Sequence, residues 1–379
     1  MNSLHILDYF QARQEAIINS IREIVEIESP SCDAEQSRAV VLWIENEARK
    51  IGLDLEIEKI PAEEYGEHLI IRAFSGDNKP VFLLGHTDTV HPLGSKFANP
   101  TRIEGDKLYG CGIFDMKANI VLMLEALQFF AERDLIPVRP ITILLSCDEE
   151  VGSYTGRELV EREANKSEFC CVFEPSAAGR IKTGRKGTGM FTIKAHGIPA
   201  HAGLEPEKGA SAILEISRQI EKLHALNNVS VGTTVNVCTV KGGTTTNVIP
   251  EHAECTVDVR FSTMEESERI DVAIRGLVPV DDRILLEILG GINRPPMERT
   301  DAVAALYEKA RGLANSFGYI VGETQVGGAS DGNFVGALGI PVLDGLGIAG
   351  DGAHTLNEHI LLSDIAQRAT LVTLLLNTI

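Results

Sequence analysis

Five short stretches of this chain place a histidine or a carboxylate where it could grip a cation. Gly85-His86-Thr87-Asp88-Thr89-Val90 follows directly on the apolar run Val81–Gly85. An imidazole just past a buried strand is well placed to ligate a metal, and Asp88 can hydrogen-bond its other ring nitrogen. The plain alternative is a polar turn in which Asp88 binds its own backbone. Gly110-Cys111-Gly112-Ile113-Phe114-Asp115-Met116-Lys117 opens a helical pattern. Asp115 there reads either as a helix N-cap or as a carboxylate with one oxygen for each of two metals. Asp148-Glu149-Glu150 lies just past another apolar run. Three adjacent carboxylates repel one another unless they are solvated, cap a helix or face cations. Glu174-Pro175 ends a further strand, and Gly352-Ala353-His354-Thr355 lies in a glycine-rich stretch late in the chain. Singly, each has an ordinary structural explanation.

Together they describe one chemistry. Two Zn²⁺ would bring four positive charges, Asp115, Glu150 and Glu174 return three negative ones, and one hydroxide completes neutrality. Glu149, beside a ligand but not needed as one, is left as a general base. Such a site activates water for hydrolysis.

The elements that must position these residues alternate between helix and strand. Helical periodicity runs from Leu4 to Ile27 and from Glu35 to Ile51. Leu69–Ala73 and Val81–Gly85 read as strands, Met116–Glu132 as a helix, Ile141–Ser146 as a strand, Thr155–Arg162 as a helix and Cys170–Phe173 as a strand. That order predicts an α/β catalytic domain with a mixed, largely parallel sheet. From about Gly184 the pattern changes to strand Met190–His196, helix Ala210–Leu226, strands Thr233–Lys241 and Ala253–Phe261, helix Met264–Arg275 and strand Arg283–Ile288. This β-α-β-β-α-β order is the ferredoxin-like α+β motif. Helix Asp301–Phe317, strand Pro341–Leu343 and helix Ser363–Leu376 resume the first pattern. The expected domains are 1–187 and 295–379 for the catalytic part, with 188–294 inserted.

Composition excludes several partners. With 54 acidic against 35 basic residues, the net charge of −19 over 379 residues repels nucleic acid and anionic membrane alike. No apolar run approaches the roughly 20 residues of a membrane span, and the N-terminal stretch lacks a signal-peptide pattern. Seven cysteines without a C-x-x-C suggest reduced thiols and a cytoplasmic address, with Cys147, Cys238 and Cys255 expected to be buried. Ser75-Gly76-Asp77 stands where a dinucleotide-binding enzyme needs a glycine-rich fingerprint, so an oxidoreductase is poorly supported.

The motifs, in this order and spacing, resemble the M20 metallopeptidases, and within them the glutamate carboxypeptidases of the carboxypeptidase G type. The likeness spans nearly the whole chain. It takes in His86-Thr87-Asp88-Thr89-Val90, Asp115-Met116-Lys117, Asp148-Glu149-Glu150, Phe173-Glu174-Pro175, His201-Ala202-Gly203, Asn247-Val248-Ile249-Pro250, Asp258-Val259-Arg260, Arg294-Pro295-Pro296, Gly327-Gly328-Ala329-Ser330-Asp331 and His354. The resemblance implies two Zn²⁺ per chain, with Co²⁺ or Mn²⁺ as alternatives. His86 and Glu174 would hold one, Glu150 and His354 the other, with Asp115 as the bridge, a cis peptide after it, and Asp88 orienting His86. Glu149 would move the proton from water to the leaving amine. The inserted domain would be a lid and homodimerisation module whose His201 stabilises the oxyanion in the partner's site. On its own residues, His201 reads as a loop histidine. Lys182 and Arg294 match positions that take the substrate carboxylate, with Asn247 and Arg260 as further substrate-side candidates. The alternative for Lys182, with Arg185 and Lys186, is a solvated run of charge at a hinge. The substrate would be a small peptide or N-acyl amino acid ending in a glutamate-like residue. An N-acyl-amino-acid deacylase of the acetylornithine or succinyl-diaminopimelate type shares the same apparatus.

Overall fold

A computed structural model describes residues 2–379. The chain divides into two compact units. One is Met1–Gly184 with Arg299–Val326 and Ser330–Ile379, and the other is Arg185–Glu298 with Gly327–Ala329.

The first unit is built on a six-stranded sheet. Its strands are β1 (Leu55–Pro61), β2 (Glu67–Ala73), β3 (Val81–His86), β4 (Ile141–Ser146), β5 (Phe169–Val172) and, much later in the chain, β10 (Val342–Leu343). The order is β1-β2-β4-β3-β5-β10. The last four strands run parallel, and β1 and β2 form an antiparallel edge. The sheet is thus mixed and mostly parallel, as the alternation of strand and helix implied. Every residue of β3 and β4 is buried, which fits a sheet covered on both faces. Helix α1 (Ser3–Glu26) starts where the Asn2 side chain accepts the Leu4 N–H, and it buries Ile6, Phe10, Ile17, Ile21 and Ile24 along one stripe. It packs with α3 (Ala118–Glu132) and α8 (Leu362–Thr378). Asp33 caps α2 (Ala34–Lys50) in the same way, and α4 (Arg157–Ala164) follows β4.

Strand β1 is absent from the sequence-based expectation. Leu-Glu-Ile-Glu-Lys-Ile-Pro carries a charge at nearly every second position and none of it is fully buried, as suits an edge strand that must resist further pairing. Helix α3 begins at Ala118 rather than Met116, because Ile113–Lys117 winds as a π-turn. Ile181–Arg185 is a buried strand, so the alternative of a solvated hinge does not hold for Lys182 or Arg185.

The inserted unit is an antiparallel sheet of β6 (Gly187–His196), β7 (Thr234–Gly242), β8 (His252–Phe261) and β9 (Leu285–Arg294), ordered β7-β8-β6-β9. Helices α5 (Ala212–His224) and α6 (Met264–Arg275) complete the β-α-β-β-α-β sequence. Phe191, Ile193, Val257, Val259 and Phe261 from the strands meet Ile216, Leu223, Ile270 and Ile274 from the helices in a separate core. β8 alternates strictly between buried and less buried positions. β9 continues to Arg294, six residues past the expected end. Cys147 and Cys255 are buried as expected, but Cys238 is exposed, beside a register shift in β7 that turns it from the core. Helix α7 (Asp301–Asn315) returns the chain to the first unit.

Candidate metal centre

Three of the candidate ligands project from the carboxyl ends of neighbouring parallel strands, where α/β sheets bind ligands. His86 is the last residue of β3, Glu150 lies in the turn after β4, and Glu174 lies just past β5. Gly85 lets Met116 pack against the strand end: a Cβ there would sit 2.4 Å from Met116 Cε, and the Met116 sulfur accepts the His86 N–H. Asp115 occupies the π-turn that opens with Gly112 at φ +69°, and the Asp115–Met116 peptide is cis. Asp115 therefore does not cap α3, whose N-cap position is Lys117. His354 comes from the segment before α8 and is half exposed, with φ +64°.

These five side chains converge. Asp115 turns one oxygen to each histidine, with His86 Nε2 3.1 Å from Oδ1 and His354 Nε2 3.5 Å from Oδ2. Glu174 Oε1 lies 3.4 Å from His86 Nε2, and Glu150 Oε2 lies 3.3 Å from His354 Nε2. Donors held at about 2.0–2.2 Å around one tetrahedral cation lie roughly 3.3–3.6 Å apart, so both groups have the spacing of a zinc shell. His86 also has ligand atoms of Glu149 and Glu174 within a 4.8 Å cluster, and of Asp115 and Glu150 within another.

The surrounding bonds fix the ligands' orientation. His86 Nδ1 is 2.9 Å from the Asp88 carbonyl, which can only accept, so the proton sits on Nδ1 and the neutral ring keeps its Nε2 lone pair for a cation. The Asp88 carboxylate, expected as that partner, is further away at 3.4 Å. It accepts instead from Ser31 Oγ at 2.7 Å and from the N–H groups of Glu149 and Glu150 at 3.2 and 3.1 Å. Asp88 thereby links the β3 and β4 loops. Asp148 is wholly buried and accepts from Thr155 and Gly156, holding the same turn.

Electrostatics point the same way. Hydrogen bonds that the ring donates to Asp115 and then to Glu150 lift the His354 imidazole to about 10. His86 loses proton affinity through burial, but Asp115, Asp88 and Glu174 more than restore it. Burial works to raise the Asp115 carboxyl, and the two imidazoles hold it well below the usual range. Glu150 is raised, chiefly by burial, and its Oε1 is buried with no hydrogen-bond partner among the described residues. Without metal the cluster thus recruits protons onto its histidines and still leaves a carboxylate oxygen unserved. A divalent cation fits this donor set.

Lys182 lies in the first unit, 8% exposed, its backbone paired to Asp344 and its stem over Gly345. The remaining candidates belong to the inserted unit. His201 and Asn247 are brought together there by a two-stranded ladder in which His201 opposes Val248, and Ala202 N donates to Asn247 O. Arg260 is held by Asp258 through three bonds of 2.8–3.1 Å, and Arg294 is buried at the end of β9. Glu358 was not singled out by residue type or spacing. It is wholly buried and accepts from three backbone N–H groups around Asp115. A glutamate before the apolar pair Ile360-Leu361 gives no sign in sequence of facing inward.

A parallel sheet with imidazoles and carboxylates gathered at its strand ends defines the frame of a metal-dependent hydrolase. The chain belongs to peptidase family M20/M25/M40, whose sequence profile matches residues 82–378. It is 29% identical over 374 residues to carboxypeptidase G2 of Pseudomonas sp. (strain RS-16), covering 95% of this chain and 89% of the relative. It is 30% identical over 322 residues to succinyl-diaminopimelate desuccinylase of Delftia acidovorans, covering 78% and 80%. Its fold is similar to that of aminopeptidase PepT from Bacillus cereus, with TM-score 0.78, 23% identity and 96% and 98% of the chains covered. The same holds for the M20 metallo-carboxypeptidase Sso-CP2 of Sulfolobus solfataricus, with TM-score 0.71, 17% identity and 95% and 99% covered. The likeness read from the motifs therefore holds at the level of the family.

Proposed function

We propose that this chain is a two-zinc amide hydrolase that releases a C-terminal glutamate-like residue from a small peptide or N-acyl amino acid. The observation that carries it is the division of Asp115, one carboxylate oxygen towards the His86–Glu174 pair and the other towards the His354–Glu150 pair. Two bound Zn²⁺, or Co²⁺ or Mn²⁺, would polarise the scissile carbonyl and make water nucleophilic near neutral pH. Glu149, whose carboxylate joins the cluster with His86 and Glu174, takes the proton from the attacking water and delivers it to the leaving nitrogen. Asp88 holds the turn bearing Glu149 and Glu150, so base and ligand keep one geometry. Lys182 offers a buried ammonium to the substrate carboxylate, supplying locally the positive charge that the acidic surface denies. Arg294, Asn247 and Arg260 are the further substrate contacts proposed. The homodimer through the inserted unit, and the oxyanion role of His201, rest on the family likeness. All seven cysteines are free thiols, which supports a cytoplasmic setting, and no helix among the described residues is long and apolar enough to cross a membrane.

The relative named succinyl-diaminopimelate desuccinylase supports a second reading, deacylation of an N-acyl amino acid. A panel of zinc-loaded assays on N-acyl-glutamates, N-acetylornithine, N-succinyl-diaminopimelate and dipeptides separates the two. The acyl-glutamates should give the highest kcat/KM. Faster turnover of N-acetylornithine or N-succinyl-diaminopimelate than of every acyl-glutamate would replace the carboxypeptidase reading with the deacylase one.

A further inference from the structure

The amide chemistry has no direct use for Glu358, yet the fold buries it completely and surrounds it with donors. Its Oε1 accepts from Phe114 N at 2.8 Å and Asp115 N at 2.9 Å. Its Oε2 accepts from Gly112 N at 2.8 Å and lies 2.6 Å from His91 Nε2. Removing a carboxylate from water is costly unless its lone pairs are filled, and here all the partners come from two segments beside the metal ligands. The three N–H groups belong to the π-turn that presents Asp115, and His91 follows the His86 motif. The Glu358 backbone joins the same assembly: its carbonyl accepts from Gly110 N, and its N–H donates to Thr355 O. The next residues, His359–Leu361, pair antiparallel with Lys107–Tyr109, which lead into the turn. Four residues upstream stands His354, half exposed and in a left-handed backbone conformation that few non-glycine residues adopt. His354 sits in the loop of a hairpin whose arms, Gly350–Asp351 and His359–Ile360, pair antiparallel, and Glu358 ties that hairpin to the turn that bears Asp115.

We infer that Glu358 is a positioning residue of the metal centre, clamping the turn that bears Asp115 to the segment that bears His354 and so setting the spacing of the two cation sites. The inference rests on the two-cation reading above. Loss of the clamp should loosen the His354–Asp115–Glu150 side most, because Glu358 joins the hairpin whose loop carries His354 to the turn that carries Asp115. Substitutions behind metal ligands typically cost 10–100-fold in metal affinity.

Metal-stripped protein titrated with Zn²⁺ and with Co²⁺ gives the test, by calorimetry and by the Co²⁺ d–d absorption bands. The wild type should take up two ions. Glu358→Ala should bind at least one of them about 10–100-fold more weakly, with a changed Co²⁺ spectrum. Glu358→Gln keeps the shape and can still accept from Phe114 and Asp115, but turns an amide donor towards Gly112 N–H and His91, so it should fall between the two. Leu374→Ala, a core truncation on α8, should lower the melting temperature without moving either affinity. Glu358→Gln and His91→Ala carry the test if Glu358→Ala does not fold. Wild-type affinities and spectra in both would overturn the inference. Uptake of fewer than about one ion by the wild type would overturn the two-cation reading instead.

Discussion

Buried carboxylates at the metal cluster and in the core of the inserted unit meet opposite fates. In the inserted unit, Glu215 accepts from the N–H groups of Val280 and Asp281 and from Gln219, and Glu266 accepts two bonds from Arg269 and one from Thr233. Burial works to raise Glu215, but its donors bring it below the ordinary range, and Arg269 does the same for Glu266. In the first unit, Glu150 is raised by burial and keeps an unserved oxygen. The lesson is one of satisfaction rather than burial. A carboxylate that has found enough donors ties a turn together, whereas several that converge while short of donors are arranged for a cation. The contrast extends to aromatic content: Trp43, the chain's one tryptophan, and all six tyrosines lie in the first unit. Tryptophan fluorescence and tyrosine signals thus report that unit alone.

The contrast would break most visibly at Glu149. Glu149→Ala should leave zinc stoichiometry unchanged by elemental analysis while kcat falls about 10²–10⁴-fold, the usual contribution of a general base. Activity within a factor of a few of wild type would remove Glu149 from the proton path. Chelation comes next. A ligand present at about 100 times its Kd adds roughly 2.7 kcal/mol to the state that binds it. Stripping the metal should therefore lower the Trp43-detected transition by about 5–10 °C, while the inserted unit, which is proposed to hold no cation, keeps its own transition. Equal losses in both would mean that the two units unfold together.

How much of this was legible beforehand follows the same division. Four of the five converging ligands were readable because each follows an apolar run or a helical pattern; His354, in a glycine-rich stretch, gave no such local signal and was drawn in by the company of the others. The inserted unit's order of elements was readable from period alone. Strand β1 was not, because an edge strand with charges at alternate positions looks like a loop. The π-turn at Ile113–Lys117 was not, because its Phe114 and Asp115 N–H groups donate to Glu358, some 240 residues away in sequence. That Asp88 faces His86 with its carbonyl, and gives its carboxylate to the Glu149–Glu150 turn, is likewise a tertiary fact. Residue type and spacing show which groups could meet, and long-range partners decide which atoms do.

A satisfied carboxylate should matter to stability and not to metal. Glu215→Ala strands the N–H groups of Val280 and Asp281 and should cost about 1–3 kcal/mol, seen as an earlier far-UV transition of the inserted unit. Zinc affinity and the Trp43 transition should stay where they were. A weakened cation would show that Glu215 also acts on the metal centre.

The smallest effect, and the finest test of the contrast, is the sign of the pH response. In metal-free protein, His354 binds its proton more tightly when folded, at about 10 against an ordinary 6.5 or so. Its contribution is fully present below about pH 6.5 and is lost as pH rises through 10. Glu150, also raised, acts in the same direction: between its folded value and about 4.3 the folded state holds the extra proton, so stability grows as pH falls. Glu215 and Glu266 are lowered, so their contribution exists above about 4.3 and disappears as pH falls through their folded values. The Trp43 transition of metal-free protein should therefore weaken from pH 6.5 to 10 while the inserted unit stays level. Saturating Zn²⁺ should reverse the slope for the first unit alone, since the imidazoles must then shed protons to hold metal and acid competes with the cation. If the slope keeps its sign with Zn²⁺ present, the histidines of this cluster are paired with carboxylates for stability, and the cation binds elsewhere.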